Sequence, residues 1–182
     1  MTNSIFNFIK QGGVLCLLLC LGACSSSVPE APLAERFVVE LQAGDDINQN
    51  EQGQANPLSV TLFQLKQTDA FVNSDYFALV ETPSSELKAQ SSKAGSYILK
   101  PGERQRIILT VREGVNYIGV VSGYRNISHS TWRTVFPLPK KPPKKWYSFF
   151  WSDNKTTLSS VTVYMDRQAT TIRKGTIESE NK

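Results

Sequence analysis

The chain has 182 residues, 20 Lys+Arg against 16 Asp+Glu, and 40% hydrophobic residues. That balance excludes a long disordered polymer, and three cysteines in a chain of this length exclude a disulfide-dense scaffold. A bilayer-spanning helix needs about twenty apolar residues, and the longest candidate run, Val14 to Leu21, is far shorter.

The N-terminus carries one cation, Lys10, then the apolar stretch Val14 to Leu21, then the small residues Gly22 and Ala23 ahead of Cys24. This is the pattern of a secretory signal peptide over residues 1–23. Its last four residues, Leu21-Gly22-Ala23-Cys24, resemble the bacterial lipoprotein box. The resemblance implies that the Cys24 thiol receives a diacylglycerol and becomes the mature N-terminus. Ser25 stands where lipoproteins kept at the inner membrane usually carry Asp, which implies export to the outer membrane. One acyl chain holds a protein only marginally, whereas two or more hold it stably. The covalent lipid on Cys24 is the one non-protein group expected, with no other cofactor. Cys16 and Cys20 leave with the signal, so the mature chain has no thiol left to pair. A protein of an oxidising compartment without disulfides relies on its core alone. Residues 24–182 number 159, enough for one domain.

Charge is uneven along the mature chain. From Cys24 to Leu99 four Lys/Arg stand against ten Asp/Glu, net −6, and from Lys100 to Lys182 fifteen stand against six, net +9. The densest basic cluster, Lys140, Lys141, Lys144 and Lys145 around Pro142 and Pro143, runs directly into the aromatic stretch Trp146 to Trp151. Such a juxtaposition suits nucleic acid, an anionic membrane or an acidic partner, and the envelope address argues against nucleic acid.

Taken in chain order, residues 24–35 are rich in Ser, Pro and Ala with no apolar period and read as a flexible tether, with the folded domain over 36–182. From Arg36 the pattern alternates, Phe37, Val39 and Leu41 against Val38, Glu40 and Gln42, as in a half-buried strand. Ala43 to Pro57 is a polar loop, and Leu58 to Leu65 is a second strand. Thr68 or Asp69 can cap a helical turn at Ala70 and Phe71; Ser74 or Asp75 caps a second through Tyr76, Phe77, Leu79 and Val80, stopped by Pro83. The remainder reads as strands over Tyr97–Leu99, Arg104–Val111, Val115–Tyr124, Thr131–Phe136, Thr157–Met165 and Ala169–Arg173, separated by turn residues such as Pro101-Gly102 and Glu113-Gly114. Seven to eight short strands with one small helical insertion predict an all-β sandwich.

Several segments in this order resemble one family, the type VI secretion outer-membrane lipoproteins called TssJ, SciN or VasD. They are Asp46-Ile47-Asn48, Asn56 to Leu65, Ala70-Phe71, Asp75 to Leu79, Leu99 to Glu103, Tyr117 to Arg125, and Trp132-Arg133. The resemblance implies a transthyretin-like sandwich with a helical insertion after the second strand. It also implies a non-catalytic role, in which the protein is anchored at the outer membrane and binds the periplasmic C-terminal domain of the inner-membrane subunit TssM. In that family the loop between the first two strands takes part in partner contact, which carries over to Asp46, Asn48, Gln49, Asn50 and Gln52. Family members have a shorter connection where this chain has Pro139 to Asn154, so the segment with Lys140, Lys141, Lys144, Lys145, Trp146 and Trp151 departs from the pattern and is a separate candidate for membrane or partner contact.

The residues explain themselves physically without the family. Pro101-Gly102 suits a tight turn, Gly119, Ser122 and Gly123 permit close approach to a strand, Trp132 is suited to the core, and Arg133 alternates to the opposite face with more than packing available to it. Catalytic and metal chemistry find little support. The one histidine, His129, lies in a turn sequence without the spacing of a hydrolase, and zinc needs four Cys or His ligands. Asp45, Asp46, Asn48, Asn50 and Glu51 miss the EF-hand spacing. A rival reading, a stand-alone envelope lipoprotein whose sandwich binds a ligand or glycan, would draw on Trp146, Tyr147 and Trp151.

Overall fold

A computed structural model describes residues 35–139, 157–174 and 178–179. The strands are β1 (Glu35–Ala43), β2 (Leu58–Leu65), β3 (Ser91–Leu99), β4 (Arg104–Val111), β5 (Tyr117–Ser122), β6 (Arg133–Pro137), β7 (Thr157–Met165), β8 (Thr170–Lys174) and the two-residue β9 (Glu178–Ser179). Three short helices, α1 (Asp69–Asn73), α2 (Tyr76–Val80) and α3 (Ser85–Gln90), fill the connection between β2 and β3. One sheet has the order β4-β1-β7-β8, with β9 on β7, and the other has the order β3-β2-β5-β6. All pairings are antiparallel except β1 with β7, which is parallel.

The two sheets enclose a core to which β1 contributes Phe37, Val39 and Leu41, β2 Leu58, Val60 and Leu62, β5 Ile118 and Val120, and β7 Val163 and Met165. These residues alternate along each strand, so a period of two puts them on one face. The other face of β2 is not left to solvent. Phe63 and Leu65 join Phe71 of α1, Leu79 of α2, Leu87 of α3 and Val121 of β5 in a second apolar cluster beneath the helices. A strand covered on both faces explains why Leu58 to Leu65 is nearly continuously apolar or small. Val38 is likewise fully buried although it points away from the main core, so β1 is more than half-buried, as befits a strand between two neighbours.

Glycines on β5 and just after it let the helices dock. A side-chain carbon at Gly119 would lie 2.6 Å from the Phe71 ring, and one at Gly123 would lie 2.7 Å from the Tyr76 hydroxyl. The two rings sit in slots that any larger residue would fill. Arg133 completes the attachment: its Nη1 donates to the carbonyl oxygens of Phe71 and Ser74, at 2.9 and 2.6 Å, where α1 ends and leaves carbonyls without helical partners. The same guanidinium lies 4.8 Å from the centre of the Trp132 ring, whose edge contacts with Tyr76 (5.6 Å) extend the stack. Burial lowers the Arg133 pKa from its ordinary value.

Several elements differ from the sequence expectation. The strand expected at Tyr97–Leu99 begins at Ser91, because pairing with β2 recruits the small residues Ser91 to Ser96 that show no apolar period of their own. Helix α3 was not expected. Ser84 caps it, its hydroxyl accepting from the Leu87 amide, and Glu86 occupies the first turn. Asp75 caps α2 through the Ala78 amide as expected, whereas neither candidate cap for α1 acts: Thr68 makes no side-chain cap bond. Trp132 falls just before β6 and is half-buried between the two apolar clusters.

Filling the Gly119 slot should detach Phe71. Gly119→Val is expected to cost about 1–3 kcal/mol by overpacking, seen as a lower urea midpoint with unchanged slope. An unchanged midpoint would show that the helices do not depend on this slot.

Candidate functional site

The direction of β1 sorts the connections. Its first residue, Glu35, pairs with Val111 at the end of β4, and its last residues lie beside the start of β4 and the end of β7. The connections 44–57, 100–103, 123–132 and 166–169 therefore share one end, here the loop end, while β1 begins at the opposite end, named the tether end after the segment expected at residues 24–35. Nine strand residues separate the two by about 27–30 Å.

The four connections at the loop end are bonded to one another. Gly44 donates to Met165 (2.7 Å) and accepts from Gly102 (3.2 Å), while Thr131 donates to Gln168 (2.8 Å) and accepts from Thr170 (2.9 Å). Pro101 and Gly102 form the expected turn, closed by the Glu103 amide donating to Lys100 O (3.1 Å), with Gly102 at φ 74°. The Glu103 carboxylate accepts from the Lys100 amide (2.7 Å) and Gln105 (2.9 Å), which holds its pKa below the usual range, the backbone bond being the larger cause. Below this surface Thr170 Oγ1 donates to Ser122 Oγ (2.7 Å) and shares a hydrogen with the Tyr124 hydroxyl (3.2 Å), a buried link between the sheets. Burial raises the Tyr124 phenol well above its ordinary pKa.

The loop 44–57 is a folded object, not a solvated polar segment. Ile47 is fully buried in the main core. Asn48 adopts a left-handed φ of 49°, and its side chain is spent inside: Nδ2 donates to Pro57 O (2.9 Å) and Oδ1 accepts from the Arg125 amide (2.8 Å). With a relative exposure of 9%, Asn48 positions the loop and leaves little of its side chain at the surface. Asn50 also works locally, its Oδ1 accepting from the amides of Gln52 (3.0 Å) and Gln54 (2.9 Å). Asp46 is half exposed and faces Arg167 at 3.5 Å, and Gln52 is exposed at the tip. The available edge of the loop includes the exposed Asp45, Glu51, Gln52 and Gln54 and the partly exposed Asp46 and Gln49.

Two further contributors escaped the sequence reading. Arg125 and Arg167 are brought beside the loop by the β5–β6 and β7–β8 connections, which no local pattern announces. Within the expected helical turn, Phe77 is 62% exposed, while Tyr76, Leu79 and Val80 pack inward. A helix turns about 100° per residue, so position 77 lies roughly 100° from the centre of the face shared by 76, 79 and 80. His129 is exposed and pairs only with Asn126 (3.0 Å). Among the described residues no group of three or more His, Cys, Asp or Glu converges as metal ligands. Cys24, Lys140, Lys141, Lys144, Lys145, Trp146 and Trp151 lie outside the described residues.

Comparison with known families places residues 35–168 within the type VI secretion lipoproteins, described as VasD, EvfM and TssJ. The chain belongs to this family. The crystal structure of the T6SS lipoprotein TssJ1 from Pseudomonas aeruginosa is similar at 30% identity, covering 80% of this chain and 99% of that one, with a TM-score of 0.67. Lip from Serratia marcescens, a membrane-bound component of the type VI secretion system, shares the fold at 21% identity, covering 78% and 99%, with a TM-score of 0.63. A chain of a type VI membrane complex does so at 17% identity, covering 76% and 98%, with a TM-score of 0.60. Curated protein sequences provide no match. The expected sandwich and the family expectation are both met, with nine strands, three α-helices and a 3-10 turn at Ile127–His129 among the described residues in place of seven to eight strands and two helical turns.

Removing the Asn48 side chain should loosen the whole loop. Asn48→Ala is expected to lose about 1–3 kcal/mol as the Arg125 amide and Pro57 carbonyl lose their partner, while Gln52→Ala stays within about 0.5 kcal/mol. Thermal unfolding of the two variants separates them, and equal midpoints would contradict the role given to Asn48.

Proposed function

We propose that this type VI secretion lipoprotein is held at the periplasmic face of the outer membrane by lipid on Cys24 and docks the periplasmic C-terminal domain of TssM with its loop end. The reading is carried by one observation: the connections knitted together at the loop end lie a full strand length from the end at which the chain enters β1. A molecule tethered at one end and binding at the other links a membrane to whatever lies deeper in the periplasm. A scaffold role needs rigid placement of a surface and no reacting group, and the mutual bonding of the four connections supplies that rigidity. The likeness of fold to a chain of a type VI membrane complex supports the same reading.

The docking surface is then the exposed edge of the loop, Asp46, Gln49 and Gln52 with Asn50 shaping the tip, flanked by Arg125 and Arg167. Asn48 supports it from beneath. The lysine cluster with Trp146 and Trp151 belongs to the other side of the account. The connection that contains it leaves β6 at Pro137 and returns at Thr157, and both points are at the tether end. We assign Lys140, Lys141, Lys144 and Lys145 to the membrane leaflet in preference to the partner on that ground.

Two variants test the two halves. Cys24→Ser is expected to release the protein from the outer-membrane fraction into the soluble periplasm and abolish secretion. Joint replacement of Asp46, Gln49 and Gln52 by alanine is expected to weaken binding of purified TssM periplasmic domain by about tenfold in calorimetry, with the melting temperature unchanged. Outer-membrane retention of the first variant, or wild-type affinity of the second, would contradict the respective half.

A further inference from the structure

At the tether end β2 stops at Leu65, β4 at Val111 and α3 at Gln90, and the three ends surround a cleft of about 420 Å³. Its lining includes three exposed cationic side chains from three separate segments: Lys66 after β2, Lys88 of α3 and Arg112 after β4. Ser91 and Ser92 border the same space, and Glu113 is the single carboxylate among the lining residues. The walls are fixed by hydrogen bonds. Buried Gln64 joins the two sheets here, its Nε2 donating to Thr110 O (2.9 Å) and its Oε1 accepting from the Arg112 amide (2.9 Å). The Lys66 amide donates to Gln90 O (2.8 Å), and Asn116 Nδ2 donates to Lys66 O (3.1 Å). These bonds hold the backbone at Lys66 and Arg112 in place, and all three cationic residues line the one cleft.

We propose that this cleft binds the phosphate groups of anionic lipid headgroups and so seats the tether end of the sandwich on the leaflet. The inference rests on the reading of the chain as a lipid-anchored protein. Three cations against one carboxylate suit an oxyanion, and the position selects its source. Arg112 follows directly on Val111, the partner of Glu35, so the cleft opens beside the point where the chain from Cys24 enters β1. Cys24 and Glu35 are eleven residues apart, at most about 40 Å of chain, which keeps this end within reach of headgroups. Ammonium groups act on phosphate as point charges and a guanidinium as a fork of donors, so Arg112 is suited to orient a phosphate that Lys66 and Lys88 attract. Contact at this end turns the loop end away from the membrane, where a partner can reach it.

The test uses the mature chain carrying Cys24→Ser, so that no lipid anchor contributes, in flotation with vesicles of phosphatidylcholine alone or mixed with phosphatidylglycerol. Binding is expected only to the mixed vesicles and is weakened by salt. The variant Lys66→Gln, Lys88→Gln, Arg112→Gln is expected to bind the mixed vesicles roughly fivefold less for each cation removed, near a hundredfold in all. Glutamine at Lys140, Lys141, Lys144 and Lys145 in a second variant measures the contribution of that cluster separately. Wild-type binding by the cleft variant, or loss found only in the second variant, would overturn the proposal. So would displacement by inorganic phosphate at an ionic strength where sodium chloride has no effect, since that would make the cleft a site for free phosphate. Anchoring itself is tested by the fractionation of Cys24→Ser in cells, whose outcome does not depend on this cleft.

Discussion

The direction of β1 is the constraint on which the rest depends. It lies between β4, antiparallel to it, and β7, parallel to it, and contributes Phe37, Val39 and Leu41 to the core. Parallel pairing with β7 is possible only because the chain makes a long excursion between the two strands. Because β1 runs from the tether end to the loop end, its neighbours must start or stop beside it, and four connections gather at its far end. Under the proposed anchoring at Cys24, a strand order in which β1 ran the other way would place the loop 44–57 against the membrane.

That arrangement needs stiffness, and the molecule obtains it twice over. Between the sheets lies the main apolar core, closed near the loop end by the buried hydroxyls of Ser122, Thr170 and Tyr124. Outside the second sheet lies another apolar layer, held down by Phe71 over Gly119, Tyr76 over Gly123, and Arg133 on the last carbonyls of α1. Absence of a side chain on β5 and presence of a guanidinium on β6 are two halves of one attachment. The loop itself is stiff for a related reason: Ile47 is sunk into the core and Asn48 is bonded to Pro57 and Arg125. A loop anchored this way presents its exposed edge without a large ordering cost on binding.

Much of this was legible in the residues. The alternation of β1, the strand at Leu58 to Leu65, the Pro101-Gly102 turn, the cap at Asp75 and the small residues of β5 follow from local rules, and each stands where it was expected. What escaped was set by tertiary contact. Ser91 to Ser96 form a strand because β2 offers them a ladder, Asn48 is buried because Arg125, distant in sequence, needs an acceptor, and Phe77 is exposed because its neighbours take the packed face. The asymmetry of charge along the chain was visible as numbers, but its meaning depended on topology. Lys66, Lys88 and Arg112 are scattered in sequence and become one group only when three strand and helix ends meet.

Polarity of the anchored molecule is the central claim, and energy transfer measures it most directly. Residues 25–182 contain no cysteine, so a single cysteine introduced at Gln52 or at Gln67 carries one fluorophore at the loop end or the tether end. With the lipidated protein in vesicles bearing an acceptor on the headgroups, transfer should be strong from position 67 and weak from position 52, as a separation of about 27–30 Å requires. Equal transfer from both positions, or stronger transfer from position 52, would contradict the account.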